Sequence, residues 1–68
     1  MEPRHLKVLR RAAEAASDEA HRVECAARLH YDLTAAARWL RAAYAAERKA
    51  CRAYARAFNA QIAANEAA

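Results

Sequence analysis

The stretch "AARLHYDLTAAARWL", residues 26–40, decides how the chain is built. On either side of it alanine, arginine, leucine and glutamate dominate, all strong helix formers. Upstream, Leu6, Leu9, Ala13, Ala16, Ala20, Val23 and Ala27 recur at alternating spacings of three and four. Downstream a second stripe reads Leu33, Ala37, Leu40, Tyr44, Glu47, Cys51, Tyr54, Phe58 and Ile62. The two stripes are out of phase by one position, so one straight helix cannot present both to a single partner. The slip falls in "HYDLT", residues 30–34, where Asp32 or Thr34 can cap a new helix.

The reading is therefore all-α: an antiparallel helical hairpin in one domain, 1–68. The expected helices are 3–30 and 34–65, with a turn at about 30–34. Pro3 marks the first turn of the first helix, where a missing N–H does no harm. Ser17 in "ASDEA" offers a second N-cap, so a break there would give three helices. A single long helix in a coiled coil is the remaining alternative.

Composition adds a stability problem. The chain has 68 residues, 23 of them alanine, with no glycine and one proline. Much of its apolar content is thus too small to build a thick core, and a lone domain of this size is marginal. Leu29 and Cys25 point away from the first stripe, and Trp39 sits at the edge of the second. A homodimer forming a four-helix bundle would cover this surplus.

No run of apolar residues is long enough for a membrane span, and residues 1–20 lack the apolar middle of a signal peptide. A cytoplasmic protein is expected. Cys25 and Cys51 lie too far apart along a hairpin for an internal disulfide and are expected as buried free thiols.

Charge is unevenly placed. Glu14 to Asp32 contains five acids and two Arg; Leu33 to Asn65 contains six bases and one acid, Glu47. Arg38, Arg41, Arg48, Lys49, Arg52 and Arg56 fall on one arc of the second helix, opposite Leu40 and Phe58. Such a one-sign face is either a solvated surface, a match for the acidic first helix, or a site for phosphates or an acidic protein. Tyr44, Tyr54 and Phe58 read as core, whereas Trp39, Leu29 and Tyr31 are candidate anchors for a partner protein. Glu47, on the apolar stripe, calls for an Arg of the neighbouring helix or a tyrosine hydroxyl.

His21 and Cys25 are four residues apart and could share a metal ion, but no nearby residue completes a site. No cofactor is expected. There is no glycine-rich phosphate loop, no nucleophile in a recognisable setting and no room for a ligand pocket, so the chain reads as non-enzymatic. Its shape resembles that of small plasmid- and phage-encoded regulators, an analogy of architecture that no motif carries. It implies a regulator or inhibitor of a host factor acting by protein binding. Nucleic-acid binding through the basic face is the alternative, and a purely structural or designed bundle a third. Designed chains usually mark their turns with Gly or Pro, which are absent here.

Overall fold

The computed structural model describes residues 2–68 and consists of two long helices packed side by side. Helix α1 spans Arg4–Arg28 and helix α2 spans Leu33–Ala67. The hairpin is thin, measuring 56 × 17 × 11 Å. Helix α1 runs unbroken through Ser17, so the three-helix alternative does not form.

The bend is made without glycine. The last turn of α1 tightens, with the Leu29 and His30 N–H groups donating to the carbonyls of Ala26 and Ala27, both at 3.2 Å. Such bonds satisfy carbonyls that a helix end would otherwise leave free. The chain then reverses over Leu29–Asp32, with no residue at positive φ among those described. Asp32 caps α2: its Oδ1 accepts from the Thr34 and Ala35 N–H groups, each at 3.1 Å. The His30 ring lies beneath, its Nδ1 accepting from the Asp32 N–H at 3.0 Å. Of the two residues the sequence offers as N-cap, Asp32 takes the role.

In α1 the expected stripe is the buried one. Leu6, Ala13, Ala20 and Ala27, each seven residues after the last, are buried, and Leu9, Ala16 and Val23 are half-buried between them. In α2 the stripe is rotated from its expected position. Ala36 is buried and Leu40, Ala43, Glu47, Ala50, Tyr54, Ala57 and Gln61 are half-buried, while Leu33, Cys51, Phe58 and Ile62 are exposed. Side-chain size explains the rotation. Interaxial distance is set by the residues at the contact. Alanine facing alanine lets the backbones approach closely, and the large side chains then lie over the edge of the seam.

The exposure of Cys51 and of Cys25 corrects the expectation of buried thiols. The core is correspondingly slight: only Leu6 and four alanines are buried among the described residues, and no large side chain is wholly enclosed.

Candidate binding surfaces

The slab has two broad faces, and their chemistry differs. The first carries the one side-chain hydrogen bond between the helices among the described residues: the Tyr44 hydroxyl donates to Glu24 Oε2 at 2.8 Å. Pro3, Arg10 and Ser17 share the row of Glu24 at seven-residue intervals, and Ala37, Cys51 and Phe58 share that of Tyr44. Glu24 also accepts from Arg28 Nη2 at 2.7 Å. The Tyr44 hydroxyl, with help from Arg28, holds the Glu24 carboxyl below its ordinary range. The same bond pushes the Tyr44 hydroxyl up, because losing its proton would set two anions together. The sequence offered Glu47 either an Arg of the neighbouring helix or a tyrosine hydroxyl. That carboxylate has no ion-pair partner among the described residues, and Glu24, one helix across, takes the hydroxyl instead.

The second face is apolar. Leu9, Ala16, Val23 and His30 form its α1 row and Trp39, Ala46, Ala53 and Ala60 its α2 row. Contact between the His30 and Trp39 rings, edge to face at 4.6 Å, shows that the two rows share a face.

At the turn the hairpin presents large apolar groups to solvent. Leu29 is 90% exposed, Tyr31 94%, Leu33 77% and Trp39 45%. Tyr31 and Trp39 are held in place. Tyr31 stacks on His30 at 4.9 Å, and His30 is fixed by both Trp39 and the Asp32 amide. All three anchor candidates from the sequence, Leu29, Tyr31 and Trp39, thus gather at one end of the molecule.

The basic residues Arg38, Arg41, Arg48, Lys49, Arg52 and Arg56 are all exposed along the outer side of α2. All four ion pairs among the described residues use arginines of α1: Arg10 with Glu2 and Glu14, Arg22 with Glu19, and Arg28 with Glu24. Glu14, Glu19 and Glu24 of α1 are therefore taken up locally, and no α2 cation pairs with the neighbouring helix among the described residues. Arg10 bridges Glu2 and Glu14 at 3.0 Å each; its guanidinium lowers the Glu2 carboxyl and is itself raised. A second basic cluster, Arg4, Lys7 and Arg11, lines a shallow recess at the start of α1. Sequence reasoning passed over it, although the spacing of three and four between these cations was visible.

His21 Nε2 and Cys25 Sγ meet at 3.8 Å on the surface of α1. No group of three or more His, Cys, Asp or Glu is placed to hold a metal ion among the described residues. One open groove of about 310 Å³ lies between the free ends of the helices, lined by Pro3, Leu6, Phe58, Gln61 and Ile62 with Glu2 and Asn65 at its edge. It is larger than the sequence suggested, because the outward Phe58 and Ile62 leave space beside Leu6. Its single carboxylate, Glu2, is tied to Arg10. No helix is long and apolar enough to cross a membrane. Comparison with protein-family models, with curated proteins and with solved structures finds no match for this chain.

Proposed function

We propose that the hairpin is a small non-enzymatic binding protein, of the regulator or inhibitor kind, that docks on another protein through its turn end. One observation carries the reading: Leu29, Tyr31, Leu33 and Trp39 stand exposed together around an ordered turn. Exposed apolar clusters of this sort mark interaction sites, and tyrosine and tryptophan are the commonest anchors at protein interfaces. Fully burying a side chain such as leucine contributes about 1.5–3 kcal/mol. Stacking on His30 also fixes Tyr31 before binding, which lowers the ordering cost.

The test is cross-linking capture in extracts of the source cells with the native chain, a Leu29→Asn/Tyr31→Asn variant and an Arg48→Gln/Arg52→Gln variant. The expected result is a defined protein retained by the native chain and the basic-face variant and lost with the turn variant. Equal capture by all three would end the turn-end reading.

A second reading rests on a separate observation, the six α2 cations that form no ion pair among the described residues. A row of arginines suits phosphate, which it can grip with paired N–H donors. Duplex binding through this row would weaken linearly in log salt, losing up to roughly 0.9 in slope per phosphate neutralised. Binding indifferent to salt, or undisturbed in the Arg48→Gln/Arg52→Gln variant, would eliminate it.

A further inference from the structure

The apolar face has no cover among the described residues. It is bounded by Leu9, Val23 and Trp39, and between them lie Ala16, Ala46, Ala53 and Ala60, with no charged residue in either row. Each row runs for 21 positions, Leu9 to His30 and Trp39 to Ala60, about 32 Å of helix at ~1.5 Å per residue, a length over which two hairpins can lie face to face. The single hairpin meanwhile encloses only Leu6 and four alanines, too little to hold two long helices together alone.

We propose that a second copy of this chain covers this face, with α1 of each copy lying over α2 of the other and both turns at the same end. Charge selects that arrangement. The Glu24–Tyr44 hydrogen bond sets the register of the hairpin. Glu19 lies five residues before Glu24 in α1, and Lys49 five residues after Tyr44 in α2, so the two stand at the same height. Both are exposed, on the outer margins of the apolar face. A twofold axis parallel to the helices brings Glu19 of the second copy beside Lys49 of the first, twice over by symmetry. At the neighbouring levels of the same rims the pairs are small beside small or small beside basic: Ala26 with Ala42, and Ala12 with Arg56. With the turns at opposite ends, α1 would lie on α1 and α2 on α2, bringing the unneutralised cations of the two α2 helices together. The Glu19 carboxylate holds Arg22 on the exposed side of its own helix, which leaves its second oxygen free for a lysine. The pairing takes Trp39 into the dimer and leaves Leu29, Tyr31 and Leu33 exposed at the turns, so the turn-end reading then rests on those three.

The test is mass in solution by light scattering, with far-UV circular dichroism, on the full chain and two matched variants. Ala46→Glu places a charge on the apolar face; Ala55→Glu makes the same change on the other side of α2. Both alanines are exposed in the single hairpin, so a lone hairpin would tolerate the two equally. The expected result is twice the 7.6 kDa chain mass for the native protein and for Ala55→Glu. Ala46→Glu should give a monomer, folded or unfolded. A native chain that stays a folded monomer, with the face open to a different protein, overturns the proposal, as does an Ala46→Glu variant that keeps the double mass. For the arrangement, Glu19→Lys and Lys49→Glu should each weaken the dimer several-fold, and the two together should restore it. Failure of the double variant to recover overturns the placement of both turns at one end.

Discussion

Helices α1 and α2 are assembled from nearly the same residue types and use them in opposite ways. Helix α1 buries a leucine and three alanines spaced by seven, and its Arg10, Arg22 and Arg28 are matched to acids on its own surface. Helix α2 buries only Ala36, carries Trp39, Tyr44 and Phe58 at the margins, and has six cations in no ion pair among the described residues. Self-pairing at spacings of three and four stabilises a helix locally, so α1 is the helix better matched to stand alone on the surface of a bundle. A long run of one sign has the reverse effect, because it raises the energy of the isolated chain and lowers that of a complex. The contrast separates the two tasks: α1 supplies structure, and α2 keeps its charge available.

Substitutions at the seam should break this comparison most severely. Ala20 is buried against α2, and Ala20→Leu forces the backbones apart. Overpacking of this kind costs about 1–3 kcal/mol, and thermal melting should show the loss. The rotated stripe in α2 sharpens the point: Ala50→Leu should be costly, whereas Cys51→Leu, one residue further and exposed, should leave the midpoint nearly unchanged. Equal effects at 50 and 51 would place the seam where the sequence alone put it.

Next in size is the cap that joins the two helices. Asp32→Ala removes the acceptor for the Thr34 and Ala35 amides and should cost about 1 kcal/mol, read by denaturant titration. An unchanged midpoint would mean that the turn holds without it.

Acid should act on α1 more than on α2. Glu24 and Glu2 are held below the ordinary carboxyl value of 4.5 by Tyr44 with Arg28 and by Arg10. Depressed carboxyls add stability at neutral pH that disappears as pH falls below 4.5 and through their lowered values. Helix content followed against pH should therefore fall in that window. Tyr44→Phe should flatten the fall, since it removes the first cause of the Glu24 depression.

The smallest effect should come from trimming α2's unneutralised charge. Arg52→Gln should leave stability level or raise it slightly at low salt, while Arg10→Gln, which undoes a two-acid bridge, should lower it. Comparison of the two melting midpoints at low and high salt checks the sign.

Much of this architecture was legible in the residues. The phase slip between Ala27 and Leu33 located the bend, and Asp32 announced the cap, because both depend on local spacing and local hydrogen bonding. The α1 stripe was equally readable, since its leucines and alanines fall in one line. The α2 stripe was not. Following the large side chains led to Cys51, Phe58 and Ile62, but close approach of two backbones favours the line with the least bulk, through Ala43, Ala50 and Ala57. Which helix face opposes which is a property of the pair, and no single-helix pattern contains it. For the same reason the sequence could suggest a tyrosine hydroxyl for Glu47 but not the bond of Tyr44 to Glu24, twenty positions away. At the candidate sites, the positions of the α2 cations followed from helical spacing alone. Their lack of ion pairs among the described residues depended on where α1's arginines turned.

The bend itself has a further consequence. None of its residues needs a backbone conformation that only glycine adopts easily, and Leu29 already has helical angles. Nothing steric, then, forbids Leu29–Asp32 from continuing α1 straight into α2 as a single rod. At the turn itself, what holds the chain folded back is one carboxylate and one imidazole gripping three amide groups. Two straightened chains could exchange halves and rebuild the same seam between molecules, the ordinary route of domain swapping. Asp32 and His30 thus favour the seam within one chain over a seam shared between two.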